Sequence, residues 1–504
     1  MSIKKLAKGA FVLTCANIIT RLIGFFYRIF MSKTIGAEGM GLYQLIMPIY
    51  MLVWSISSSG ITTAVSKITA EECGRGNSTA AKKTLLCAVM LSSSTAALLS
   101  LAVFAFSKPI AANVLGDART APLLKILSLC FPFMACGSCI RGYFFGFQKH
   151  IYPACAQVAE QIIRVACVFL LYPFFFSKGM EYACAAAVTG VSAGEFFAFV
   201  LTLIFLKANG TAGKSHTVSE KSYLGAFTAL LLVAMPLTLT KAASSLLSTM
   251  ENILIPARLS LYSSSVNSLS LFGSLTGMAM PLIQFPSSVL IAVSSSLMPA
   301  ISSASAQHNR RAVEKAVVKS LSFTSVMSFF CFGFFFLFAA PVCQIVYGRA
   351  ELGDLLKKLS FLCPLIYTHI TINGILNGIG EHNFIFKVSL VSSFINISAI
   401  YFLMPLIGIN AYIVSSALGF FFSCAVGLKK SLKKEQLMHV IFQNFALPLS
   451  CAICAVNICR FTAEGFSLGF IISALLFSLI YVFLIFFSGA ADVRSDFIKL
   501  KKMR

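Results

Sequence analysis

Two arginines stand seven residues apart in "ITRLIGFFYR", Ile19 to Arg28, inside the first long apolar run of the chain. On insertion scales a guanidinium at mid-bilayer costs about 2.5–3.5 kcal/mol, so a pair on one helix requires a reason. Asn17, Arg21, Gly24 and Arg28 follow the i, i+4, i+7, i+11 rhythm of one helical face. Ile18, Leu22, Ile23, Phe25, Phe26 and Phe30 occupy the other faces. The polar stripe is therefore expected to line an aqueous cavity, with Gly24 allowing close approach. A second buried cation, Lys241, lies in "LTLTKAASSLLSTMEN". It shares a face with Thr238, Ser245 and Ser248 or Thr249, and that face ends near Glu251 and Asn252. A third stripe holds Gln157, Glu160, Gln161 and Arg164. Glu160 precedes Arg164 by four residues, the favourable order for a helical ion pair. Glu160 is read as the one clearly intramembrane acid, which leaves Arg21, Arg28 and Lys241 without a matching carboxylate. Such a set favours an anion, and guanidinium forks suit the oxygens of a phosphate or diphosphate. Two plainer readings stand beside this one. Arg28, close to the end of its run, could snorkel to the interface, and Glu160 with Arg164 could be a purely structural lock.

Other chemistry finds little footing. Sixteen cysteines are scattered through apolar segments; "CGSC" (Cys136, Cys139) and "CAIC" (Cys451, Cys454) fall inside expected spans and read as small packing residues. His150, His369 and His382 could titrate but stand at span ends, where interfacial histidines are common. No P-loop, HExxH, GxSxG or metal constellation is found, so ATP hydrolysis, hydrolytic chemistry, metals and cofactors are not expected, and the chain is not read as an enzyme.

These residues need a membrane scaffold to position them. The 504-residue chain is 58% hydrophobic and only 11% charged, too few charges for a soluble surface, so the fold class is an all-α polytopic membrane protein. The formal charge of +23 would suggest nucleic acid in a soluble protein. Here the basic residues lie mainly between apolar runs, so no nucleic-acid partner is expected. A window of about 19 residues gives about 14 candidate helices. Lys4, Lys5 and Lys8 precede the first, which continues past Phe30 without a small-residue cleavage site and is expected to be retained. With that count, 26 of the 40 Lys and Arg fall on the terminal side, 10 on the other and four inside spans, which predicts cytoplasmic termini in a cell membrane.

The chain also repeats itself. The stretch from Met47 resembles the stretch from Met280, at an offset of 233. "RGYFFGFQKH" (Arg141 to His150) matches "NGILNGIGEH" (Asn373 to His382) at 232, aligning Gly142 with Gly374 and Gly146 with Gly378. An even number of helices between the copies preserves orientation. Two six-helix lobes are therefore expected in a pseudo-twofold parallel repeat around a central cavity, a transporter architecture. The expected lobes are residues 1–210 and 211–430, with two appended helices and a basic tail over 431–504.

"ITRLIGFFYRIFMSKTIGAEGMGLYQL", followed by "CIRGYFFGFQKHIYPACAQVAEQIIRV", resembles the stage V sporulation protein B branch of the polysaccharide-transporter family. That branch belongs to the multidrug/oligosaccharidyl-lipid/polysaccharide flippase superfamily, and the similarity runs through essentially the whole chain. The block Arg141, Gly142, Tyr143 followed by Gln157, Glu160, Gln161 and Arg164 is its most specific mark. Phe145, Ala154 and Ala156 depart from the family's glutamine, threonine and serine, which removes small polar contacts.

The resemblance implies export of a polyprenyl-diphosphate-linked saccharide, lipid II or a related peptidoglycan precursor, by alternating access in spore cortex assembly. It implies that Arg21 and Arg28 bind the diphosphate; the stripes read above add Lys241 to that site and have Asn17, Gln157, Glu160, Gln161, Arg164, Ser245 and Asn252 line or gate the cavity. It further implies the lipid bilayer and a peptidoglycan polymerase as partners, a forespore membrane location, and a coupling ion, H+ or Na+, that no residue identifies. The alternatives are a multidrug cation antiporter of the same fold and a scaffold for a peptidoglycan synthase that transports nothing.

Overall fold

A computed structural model describes residues 3–175, 179–208, 222–263, 265–307, 309–432, 442–466 and 469–489. The Lys214 and Lys221 connection and the basic tail used to orient the chain lie outside the described residues. Among the described residues every regular element is helical. Among the described residues twelve helical runs are long and apolar enough to cross a membrane, thirteen if one bent pair is a single span, so the protein is a multi-pass membrane protein. The shortfall from fourteen begins in the first run, Phe11–Gly74, which is counted once although it has 64 residues. At 1.5 Å per residue that is roughly 96 Å, about three hydrocarbon thicknesses. Its backbone breaks at Gly36 (φ 70°, ψ −172°), a positive φ that glycine alone adopts without a Cβ clash.

The chain forms two compact units, residues 1–273 and 274–504. The division falls later than the sequence boundary at 210/211. The first unit contains α1 (Ile3–Trp54), a π-helical turn (Ser55–Ser59), α2 (Gly60–Gly74), α3 (Ser78–Ala105), α4 (Thr120–Ser128), α5 (Phe131–Gly146), α6 (Ile151–Phe175) and α7 (Met180–Ala208). It also takes in α8 (Tyr223–Leu259) and α9 (Ser265–Gly273), which pack on α1, α2 and α3. Where α1 crosses α9, a Cβ on Gly273 would lie 1.9 Å from the Ala37 carbonyl and 2.5 Å from the Gly41 nitrogen. The crossing is therefore backbone against backbone.

The second unit opens with a π-helical turn (Ser274–Ala279). It continues through α10 (Met280–Ala306), α11 (Arg310–Tyr347), α12 (Leu352–Leu359), α13 (Cys363–Ile379), α14 (His382–Ile407) and α15 (Asn410–Ser431), and ends with α16 (Leu447–Phe466) and α17 (Phe470–Ser488). The last two lie against α11 through Phe329, Phe338, Phe477 and Tyr481, and the Tyr481 hydroxyl donates to the Val326 carbonyl at 2.9 Å.

The repeat read from the sequence reappears as equivalent contacts within each unit. Gly142 abuts Thr62, and Gly374 abuts Ser294; Gly146 abuts Thr69, and Gly378 abuts Ile301. Both members of each contact are displaced by 232 residues. A Cβ at any of the four glycines would come within 3.1 Å of its neighbour, so the spacing marks close helix packing by small residues. The π-helical turns serve a common purpose too. A π turn leaves carbonyls free for other donors. The Ser57 carbonyl accepts from Ser92 Oγ at 2.5 Å in the first unit, and the Met278 carbonyl accepts from the Tyr347 hydroxyl at 2.9 Å in the second.

Candidate functional site

All ten residues singled out in the sequence lie in the first unit. On α1, Asn17 and Arg21 are exposed and Arg28 is half-buried. Neither arginine has a hydrogen bond or acidic partner among the described residues. Gly24 does not serve the close approach expected of it: a Cβ there would meet nothing within 4 Å. Asn17 is nonetheless tied across helices, because Gln157 Nε2 on α6 donates to its Oδ1 at 3.2 Å.

Lys241 is held more tightly than an open stripe would require. Its Nζ donates to the Ser59 carbonyl at 3.0 Å and to Thr63 Oγ1 at 2.9 Å. The first acceptor is another carbonyl of the π turn. Gly60 makes the approach possible, since a Cβ there would lie 2.6 Å from the Thr238 nitrogen. Further along the same face, Thr249 Oγ1 donates to the Pro48 carbonyl at 3.2 Å. The Lys241 stripe thus packs on the second arm of α1 and on α2. No acid pairs with the ammonium among the described residues. Asn252 turns back on its own helix, donating to the Ser248 carbonyl at 2.7 Å, while Ser245 and Gln161 are half-buried without a hydrogen bond among the described residues.

Glu160 and Arg164 do pair, Nη2 to Oε1 at 2.6 Å, along α6. Glu160 is not the only buried acid, as the sequence had indicated: Glu195 on α7 is 4% exposed. Gly194 lets the two helices meet, because a Cβ there would lie 3.0 Å from the Glu160 carbonyl. The Tyr50 hydroxyl on α1 donates to Glu195 Oε1. Arg141 lies within α5, is half-buried and donates to Ser138 Oγ at 3.0 Å. At the positions that depart from the family pattern, Phe145 tilts against the His150 ring at 5.8 Å, and Ala154 and Ala156 are buried in packing.

Arg119 shows what a neutralised guanidinium looks like in this protein. It donates to Asp117 through Nε (3.1 Å) and Nη2 (2.8 Å) and to Glu38 through Nη1 (2.8 Å). Hydrogen bonding to Asp117 raises its pKa above the usual arginine value, with Glu38 adding to the rise and partial burial opposing it. It borders a cavity of about 470 Å³ walled by Leu45, Gly116, Pro256, Ser260 and Leu269. With two carboxylates around it, Arg119 offers little to an anion, whereas Arg21 and Lys241 keep their charge uncompensated.

Within this multi-helix membrane unit, and among the described residues, cations without an acidic partner stand on two helices and a buried ion pair on a third. The model of the polysaccharide biosynthesis protein family matches residues 6–305, more than half of the chain, and the protein belongs to that family. It is 27% identical to stage V sporulation protein B of Bacillus subtilis (strain 168) over 452 residues, 88% of this chain and 85% of that one. It is 24% identical to the lipid II flippase MurJ of the same organism over 447 residues, 84% and 82% of the two chains. Among solved structures, the inward closed conformation of the lipid II flippase MurJ superposes with a TM-score of 0.74 at 15% identity, covering 96% of this chain and 100% of that one. The chain shares the fold of that flippase.

Proposed function

We propose that the protein flips a polyprenyl-diphosphate-linked saccharide, lipid II or a closely related peptidoglycan precursor, across the cytoplasmic membrane by alternating access. Arg21, Arg28 and Lys241 hold the diphosphate; Asn17, Gln157, Gln161, Ser245 and Asn252 line the path, and Glu160 with Arg164 locks the first lobe. The observation that carries this reading is Arg21, an exposed guanidinium within an apolar helix that has no partner among the described residues. An unpaired charge at that depth is costly unless a ligand or water meets it, and a diphosphate supplies both charge and matching geometry. The likeness to stage V sporulation protein B supports a place in spore cortex assembly at the forespore membrane, with both termini cytoplasmic and a peptidoglycan polymerase receiving the product. The internal repeat supports lobes at 1–210 and 211–430 with appended helices over 431–504.

The test is the appearance of lipid II on the outer leaflet of cells depleted of every other flippase, with Arg21→Ala and Lys241→Ala compared at matched membrane levels. Restored exposure that falls at least roughly tenfold in each variant is expected, one charge-assisted contact being worth about 1.5–3 kcal/mol. No restoration by well-folded protein removes lipid II as the substrate and leaves the scaffold or antiporter. Full restoration by both variants keeps the transporter and moves the diphosphate elsewhere.

A further inference from the structure

Two short helices follow long ones at equivalent places in the repeat. On α4, Lys125 Nζ stands 5.5 Å from the centre of the Phe104 ring of α3. Displacing both residues by 232 gives Lys357 on α12 and Phe336 on α11, and there Nζ stands 5.0 Å from the ring centre. Buried leucines seat each short helix: Leu123, Leu124 and Leu127 on α4, and Leu352, Leu356 and Leu359 on α12. The second copy has an addition. Arg460 of α16 brings its guanidinium carbon to 5.4 Å from the same Phe336 ring, whereas among the described residues Phe104 has Lys125 as its one cation. The two charges over Phe336 are no further apart than their two distances taken together, and neither has an acidic partner among the described residues. Each is drawn to the ring's quadrupole, but they repel one another across it. An anion between them reverses that balance, and a guanidinium fork beside an ammonium point charge suits a phosphate group. Arg460 stands near the end of the apolar run Phe442–Thr462, the depth at which long basic side chains reach the headgroups. Phe361, 56% exposed, meets the edge of Phe336 at 5.7 Å, and Phe461 beside Arg460 is 83% exposed. Bared phenyl rings do nothing for a dissolved ion but lie where the acyl chains of a lipid run.

We propose that Lys357, Arg460 and the Phe336 ring form a headgroup site for one anionic glycerophospholipid, whose phosphodiester bridges the two cations and whose acyl chains run over Phe361 and Phe461. A zwitterionic headgroup would bring a third cation to the pair, so the net-negative class is selected. The bound lipid ties α16 to α11 and α12, and in the orientation proposed above it belongs to the outer leaflet. The site uses none of the residues assigned to the diphosphate and stands or falls apart from that reading.

The full chain, stripped of lipid in detergent, is titrated with phosphatidylglycerol, with phosphatidylcholine and with sodium phosphate, and the first bound lipid is followed by native mass spectrometry. Phosphatidylglycerol is expected to bind roughly tenfold more tightly than phosphatidylcholine. Lys357→Gln and Arg460→Gln each lose that preference, as removal of one charge-assisted contact would. Lys125→Gln, at the equivalent single-cation position, leaves it unchanged. Lys357→Gln decides alone should Arg460→Gln not fold. Equal affinity of the wild-type chain for the two lipids overturns the proposal, as does a preference that the Lys357 and Arg460 variants keep or that Lys125→Gln removes to the same degree. Displacement of the lipid by sodium phosphate at equal concentration makes the ligand a dissolved ion and overturns the lipid assignment.

Discussion

At matching repeat positions the first unit carries Glu160 and Arg164 where the second carries Ser392 and Asn396, and Arg141 where the second carries Asn373. The neutral set makes its own contacts: Ser392 Oγ donates to the Gly419 carbonyl at 2.9 Å, and Asn373 Nδ2 lies 2.9 Å from His369 Nε2. Packing has been copied between the halves while buried charge has not. Glycine-to-helix contacts recur at the same offset because close approach tolerates no extra atom. Buried ions are under no such constraint, since a hydroxyl–amide pair fills the space at lower desolvation cost. The buried ion pair kept in the first copy only is thus a functional expense, and the Glu195 carboxylate, buried likewise, lies in that copy too.

The contrast can be broken most forcefully at the ion pair. Arg164→Met strands Glu160 in a dry interior and is expected to cost about 3–5 kcal/mol. Asn396→Ala, its counterpart, should cost about 1–2 kcal/mol, the worth of an ordinary polar contact. Thermal unfolding in detergent compares them, and the double variant Glu160→Gln, Arg164→Met should recover most of the loss. Equal losses at the two positions would mean that the second unit is as electrostatically committed as the first.

The shared packing offers a finer comparison. At Gly142 a Cβ meets the Thr62 backbone carbonyl at 2.6 Å, whereas at Gly374 it meets the Ser294 side chain at 2.8 Å. Neither the Thr62 carbonyl nor the Ser294 Cβ can swing away with a rotamer, and the Gly142 contact is the tighter, so Gly142→Ala should cost about 2–3 kcal/mol and Gly374→Ala about 1–2 kcal/mol. Unfolding midpoints of the two alanine variants test the order, and its reversal would assign the tighter crossing to the second unit.

The smallest effect concerns the two repeat-related histidines. His150 lies in a connection with its Nδ1 buried and unpartnered, and burial lowers its pKa below 6.5. The unfolded chain then binds more protons than the folded one as pH falls below that value, so stability declines on acidification. His150→Gln should flatten this slope below pH of about 6.5, whereas His382→Gln, whose ring nitrogen lies 3.0 Å from Asn377 Oδ1, serves as the comparison. An unchanged slope in His150→Gln would remove this difference between the copies.

How much was legible in the sequence follows the range of each interaction. The Glu160–Arg164 pair was readable because both partners share one helix at i, i+4. The glycine contacts were readable through the internal repeat. Glu195 escaped because its partner Tyr50 is 145 residues away, on another helix. The acceptor of Lys241 was hidden for another reason. It is a backbone carbonyl at the end of the π turn in "SISSS", and nothing in those residue types marks a π turn. Gly24 was misread because periodicity gives a face but not what lies opposite it.

The crossing of α1 and α9 at Gly41 and Gly273 behaves as a bearing. Most helix pairs interlock through side-chain ridges that must disengage before one helix can roll on the other. Here peptide faces peptide at Gly273, and Leu269 is the one side chain standing against Gly41. Motion about that point therefore meets little friction but no freedom in height: a single methyl group on Gly273 would lift the shaft off its seat.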